Sequence, residues 1–158
     1  MSRSYVYSSE DLFSDLINKT DFHLLDVRNE DDFSSFQVES PYTFEMSNIP
    51  YFDFIEEEKA SVARIPKEKP VKIVCAKEGS AQYVGDILTA NGFSDVGYLS
   101  GGIKTWGELL TPVRINPESD DYGLYQFIRP GKACLSYGVV YKNQMAVVDP
   151  SRNINFYT

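Results

Sequence analysis

The stretch Val71–Trp106 reads VKIVCAKEGSAQYVGDILTANGFSDVGYLSGGIKTW. It opens on a short apolar run, Val71 to Cys75, placed just ahead of a turn, as in a strand buried on both faces. After a short loop, Ser80 to Asn91 has helical spacing, with Ala81, Val84, Ile87 and Leu88 on one stripe. Asn91-Gly92 is a helix stop. Val96 to Leu99 is the next strand, and Gly101-Gly102 opens a helix that carries Ile103, Trp106 and Leu109-Leu110.

The same alternation extends towards the N-terminus. Residues 8–19 read as a helix with Leu12, Phe13, Leu16 and Ile17 at helical spacing and Ser8 or Ser9 as cap. Phe22 to Val27 reads as a strand, Asn29 to Phe36 as a short acidic helix, and Tyr51 to Glu58 as another helix. Between those two helices, Pro41, Ser47, Asn48 and Pro50 mark a loop, and Pro66 and Pro70 bracket a charged connector. Alternating strands and helices predict an α/β domain with a mainly parallel central sheet flanked by helices. The expected organisation is a domain over residues 1–112, a linker over 113–123 and a separate β segment over 124–158. In that segment Phe127-Ile128, Cys134–Tyr141 and Met145–Val148 read as antiparallel strands.

Composition narrows the function. Net charge is −8 with a pI near 4.6, and no basic stripe offsets it, so nucleic acid is not expected as a partner. No apolar run reaches the roughly 18 residues of a membrane span. The polar start, Met1–Glu10, lacks a signal-peptide core, so a cytoplasmic protein with reduced Cys75 and Cys134 is expected. A single histidine, His23, and two cysteines do not make up a zinc or non-haem iron ligand set.

Cys75 stands between a buried strand and a helix start. Free N–H groups at a helix N-terminus stabilise an anion, and a thiolate there is a usable nucleophile. Gly79 offers a tight or left-handed turn in the loop, and Lys77 adds positive charge. A cysteine in this position can equally be a small apolar residue that closes a core strand.

Together these residues resemble the rhodanese family. The landmarks are Cys75 after its strand, Gly92-Phe93, Leu99-Ser100-Gly101-Gly102 and Trp106. Upstream, Leu24–Phe33 (LLDVRNEDDF) is similar to the family's Asp-x-Arg segment, and Asn48-Ile49-Pro50 also fits. The resemblance covers about residues 5–110. It implies a sulfurtransferase in which Cys75 takes sulfur from a small donor as a persulfide and passes it to a thiol acceptor. The backbone of Ala76, Lys77, Glu78, Gly79 and Ser80 would cradle the persulfide, with no metal or organic cofactor. Asp26 and Arg28 would support the fold, Arg28 pairing with Asp32, and Trp106 and Gly101-Gly102 would serve packing and turn geometry.

The loop departs from the family's pattern, in which Gly stands three residues after Cys and Arg five after. Glu78 and Ser80 occupy those places, and the missing guanidinium would have bound an anionic donor such as thiosulfate. The common Gly-His-Ile segment is replaced by residues 36–46. A phosphatase on this scaffold needs Arg six residues after the cysteine, where Ala81 stands. The alternative to an enzyme is a non-catalytic docking or regulatory module.

Residues 124–158 resemble the opening strands of a metallo-β-lactamase-fold domain of the persulfide-dioxygenase-like branch, with landmarks at Gly131, Cys134–Tyr137 and Val147–Pro150. That resemblance implies a fused persulfide-oxidising partner domain in the full-length protein. Its metal-binding segment is not among these residues, so no dioxygenase or hydrolase activity is expected of them. Cys134 is expected in a core strand. Some 35 residues cannot bury a core alone, so the segment is expected either to dock on the first domain or to pair its strands with a second copy in a homodimer.

Overall fold

In a computed structural model, which describes residues 4–119, 121–152 and 154–157, the chain divides into two compact units, one ending at Trp106 and the other beginning at Gly107. Met1–Arg3 of the polar start, Asp120 of the expected linker, and Asn153 and Thr158 of the β segment lie outside the described residues.

The first unit is a five-stranded parallel sheet in the order β1-β5-β4-β2-β3. Its strands are β1 (Tyr5–Tyr7), β2 (His23–Asp26), β3 (Glu45–Asn48), β4 (Val71–Val74) and β5 (Val96–Leu99). They alternate with α1 (Ser9–Asn18), α2 (Glu30–Ser35), α3 (Tyr51–Glu56), α4 (Glu58–Val62), α5 (Glu78–Ala90) and α6 (Ile103–Glu108). β2, β4 and β5 are buried along their whole length, which is why they read as continuous apolar runs instead of alternating ones. Lys72 is the exception in β4. Its Nζ lies 2.8 Å from Asp15 and 4.4 Å from the centroid of Tyr7, so a buried cation has both an ion-pair partner and an aromatic face.

Local chemistry sets the helix ends. Ser8 and Asp11 form a reciprocal capping box at α1. At the end of α5, Gly92 takes φ +87°, Phe93 N donates to Leu88 O and Gly92 N to Thr89 O, the two bonds of a Schellman motif. The stripe Ala81, Val84 and Leu88 of α5 packs with Ile73, Val71, Leu25 and Tyr98 in the core that also holds Cys75. Because all five strands run the same way, the C-terminal ends of β2 and β4 lie side by side, Asp26 in register with Val74.

The second unit is a four-stranded antiparallel meander: β6 (Thr111–Arg114), β7 (Tyr122–Arg129), β8 (Cys134–Tyr141) and β9 (Gln144–Val148). On one face Phe127 and Ser136 are buried, with Tyr157 4.8 Å from the Phe127 ring and 2.7 Å from Ser136 Oγ. On the other, Leu135, Tyr137, Val139 and Tyr141 of β8 are exposed in alternation.

Several expectations need correction. Glu45–Asn48, expected within a loop, is β3. It is an edge strand with few apolar residues, and its pairing with β2 defines it rather than any periodicity. The single helix expected over Tyr51–Glu58 breaks at Glu57 (φ −136°, ψ 57°), within the run of three glutamates, and α4 follows. α5 starts at Glu78, two residues early, because an acidic residue suits the first turn of a helix and Gly79 does not interrupt it. Part of the expected linker is strand: β6 includes Val113 and Arg114, and β7 begins at Tyr122. Pro112 obscured β6, yet proline is tolerated there because β6 is an edge strand. Cys134 is exposed at the start of β8 instead of lying in a core, its Sγ 3.2 Å from Lys132 O. Among the described residues no helix is long and apolar enough to cross a membrane.

Candidate active site

Cys75 directly follows β4 and is 8% exposed. Ala76 and Lys77 connect it to α5. Lys77 occupies the N-cap with extended backbone (φ −140°, ψ 165°), and no side chain caps this end, unlike α1 and α2, whose first turns receive Ser8 and Asn29. In the first turn of an α-helix the N–H groups have no intrahelical acceptor. Those of Glu78, Gly79 and Ser80 therefore sit at the positive end of a 13-residue helix that starts three residues after the thiol.

The turn between β5 and α6 holds the cysteine backbone from the other side. Ile103 N donates to Cys75 O at 2.8 Å. Gly102, at φ +69°, lies so close that a Cβ on it would be 2.5 Å from Ala76 O and 2.7 Å from Cys75 O. Gly102→Ala therefore combines a left-handed backbone with a collision against main chain that cannot rotate away. The expected loss is about 2–3 kcal/mol, measured by urea unfolding and accompanied by a fall in Cys75 alkylation kinetics towards those of a displaced loop.

Gly79 does not play the role expected of it. It lies inside α5, is not at positive φ, and an added Cβ would meet nothing within 4 Å. The turn freedom lies instead at Gly101 and Gly102. Gly79→Ala should therefore raise stability, by up to about 1 kcal/mol, through helix propensity, read as a higher midpoint in thermal unfolding.

Glu78 is exposed, and its carboxylate accepts from Ser100 Oγ (3.0 Å) and Gly101 N (2.6 Å). Lys77 is exposed and Ser80 half-buried. Sequence reasoning missed Ser100 and Ile103 as neighbours of the loop. Their contributions are a hydroxyl and a main-chain N–H in a turn, and nothing in side-chain pattern marks either.

Asp26 and Arg28 come together at the end of β2 beside β4. Arg28 Nη2 lies 2.7 Å and Nε 3.0–3.1 Å from the Asp26 carboxylate, both side chains being almost fully buried. Arg28 also donates to Phe36 O (2.6 Å) and Asp32 O (3.2 Å). The expected Arg28–Asp32 ion pair is thus corrected: Arg28 uses the carbonyl of Asp32, while the Asp32 carboxylate accepts from Asn29 Nδ2. Asn29, the cap of α2, accepts from Asp32 N and so holds that carboxylate as its own partner.

His23 cannot act on Cys75. It opens β2 in register with Val71, at the far end of β4 from the cysteine, roughly 13 Å away at 3.3 Å per strand residue. Its Nε2 meets Ser47 Oγ at 2.7 Å, and burial lowers its pKa, partly opposed by Glu45. Among the described residues no cluster of three or more His, Cys, Asp or Glu could hold a metal ion. The arrangement sets a buried thiol at the end of a central strand, three residues ahead of the start of a helix that no side chain caps.

Comparison with known proteins agrees with the fold. The rhodanese-like domain family model matches residues 9–109. The thiosulfate sulfurtransferase GlpE of Coxiella burnetii is 32% identical over 92 residues, 58% of this chain and 78% of that protein. Among solved structures, a rhodanese-like domain protein from Staphylococcus aureus superposes with a TM-score of 0.52 at 22% identity, over 65% of this chain and 91% of the other. Reduced Bacillus anthracis CoADR-RHD superposes with a TM-score of 0.52 at 17% identity. That match covers 66% of this chain, which spans only 16% of that much longer protein. At these identities the two structures speak for the fold alone.

Proposed function

We propose, from the premise that this chain belongs to the rhodanese-like domain family, that it is a sulfurtransferase carrying sulfane sulfur on Cys75. The observation that supports this reading is the placement of Cys75: at the end of a buried central strand, ahead of an uncapped helix start, with its carbonyl fixed by Ile103 N. The Cys75 thiolate attacks the outer sulfur of a donor. A Cys75–sulfur bond forms, the donor's sulfur–sulfur bond breaks, and the leaving thiolate (or sulfite, from thiosulfate) takes the electron pair. The terminal sulfur then faces the N–H groups of the first turn of α5, which stabilise its charge as an oxyanion hole would. An acceptor thiolate attacks that terminal sulfur and frees Cys75, so the cycle needs no external oxidant or reductant.

The preferred donor is a low-molecular-weight thiol persulfide rather than thiosulfate. The position five residues after Cys75 holds Ser80 and not a guanidinium, and Glu78 adds a negative charge to the loop. The C-terminal sheet is proposed to be one layer of a metallo-β-lactamase-fold, persulfide-oxidising domain that receives the sulfur in the full-length protein. The exposed alternating residues of β8 support this, since a sheet with an uncovered apolar face is half of a two-layer core. Free Cys75 and Cys134 suit a reducing, cytoplasmic compartment.

Intact-mass measurement after exposure to glutathione persulfide tests the function. The expected result is a gain of one sulfur atom that dithiothreitol removes and that maps to Cys75. If no donor loads the protein, a docking role replaces this one.

A further inference from the structure

We infer that Glu78 both positions the sulfur-carrying loop and sets its preference among donors, an inference that rests on the sulfur-transfer reading above. The positioning role follows from what the carboxylate holds. Ser100 and Gly101, its two donors, belong to a turn that is itself anchored: Ser100 N donates to Tyr7 O at 2.9 Å, and Thr105 Oγ1 shares its one hydrogen between Ser100 O at 2.7 Å and Gly102 O at 2.8 Å. The same turn holds the Cys75 backbone through Ile103 N and the close approach of Gly102. Glu78 thus fastens the first turn of α5 to the support that already grips the cysteine. Without it, the first turn of α5 loses its tie to that turn and is held by the core packing of Ala81, Val84 and Leu88 alone, and N–H groups that receive a terminal sulfur act best when preorganised.

The selective role follows from charge. Both donors to Glu78 are uncharged, so they orient the carboxylate without neutralising it. A compact dianion such as thiosulfate brings both its charges in with the reacting sulfur and is repelled. Cysteamine persulfide carries an ammonium group instead and is not. Repulsion of this kind between partly exposed charges is worth a factor on the order of three to ten in rate and fades with salt.

Loading rates of Cys75 should be compared for wild type, Glu78→Gln and Glu78→Ala, with thiosulfate and with cysteamine persulfide, at low and high salt. Gln keeps an oxygen acceptor for Ser100 and Gly101 but removes the charge. It should raise the thiosulfate-to-persulfide ratio of kcat/KM about three- to tenfold at low salt, and this gain should shrink at high salt. Ala removes the fastening as well and should lower loading from both donors, on the order of tenfold, while Gln retains most of the persulfide rate. An unchanged ratio in Gln, a shift indifferent to salt, or an Ala variant that matches wild type with both donors would overturn the inference while leaving sulfur transfer standing. Wild type that loads from neither donor would sink the sulfur-transfer reading itself. Should Ala fail to fold, the Gln ratio and its salt dependence still decide.

Discussion

Serine in place of Cys75 should abolish sulfur loading while the fold persists. The substitution exchanges sulfur for the smaller oxygen at a site packed among Ala81, Val84 and Ile73. The fold should lose no more than about 1–2 kcal/mol for a buried hydroxyl. The chemistry loses its nucleophile, because an alcohol without a general base is not ionised, and the one histidine lies at the far end of β4. Loading should fall by at least about a thousandfold. Cys134 is the internal control. It is exposed and outside the site, so Cys134→Ser should load like wild type. The measurement is intact mass, followed by peptide mapping after alkylation. A Cys75→Ser protein that still gains reducible sulfur would move the carrier role to Cys134 and end the present assignment.

Removing Arg28 should be the most damaging change to stability. The Asp26 carboxylate and the guanidinium are 2% and 4% exposed. With Arg28→Ala the carboxylate keeps, among the described residues, only the N–H of residue 28, at 3.0 Å, and stays buried without its counter-charge. The carbonyls of Asp32 and Phe36 lose their donor too. Breaking one side of such a pair costs about 3–5 kcal/mol, against a typical domain stability of about 5–15 kcal/mol. Urea unfolding should show the midpoint fall with little change in slope. Asp26→Asn combined with Arg28→Ala should recover part of the loss, since the uncompensated charge is then gone. An Arg28→Ala protein within about 1 kcal/mol of wild type would mean that water reaches Asp26 freely.

Legibility followed burial and locality. β4 and β5 were readable as short apolar runs, and α1 and α5 because their apolar residues recur at helical spacing and their ends carry chemical stops, Ser8 at one and Asn91-Gly92 at the other. β3 and β6 were not. An edge strand is defined by hydrogen bonds to its neighbour, which leave no periodic mark on Glu45–Asn48 or on a segment containing Pro112. Cys134 was misplaced because it shares the face of buried Ser136 and Gly138 but is the first residue of β8, where that face is still exposed.

By itself the sequence determined the alternation of strands and helices, the position of Cys75 between one of each, and the family landmarks from Asp26 to Trp106. These are properties of neighbours along the chain, where period, caps and glycine placement act. Tertiary structure alone decided that Gly102, not Gly79, is the glycine the site requires, that Arg28 faces Asp26 and not Asp32, and that Glu78 is tied to a turn 22 and 23 residues away. The Gly102 and Glu78 contacts depend on which atoms meet when β4 and β5 pair, and the Arg28 contact on the burial of Asp26 at the end of β2, neither of which the spacing of residues encodes.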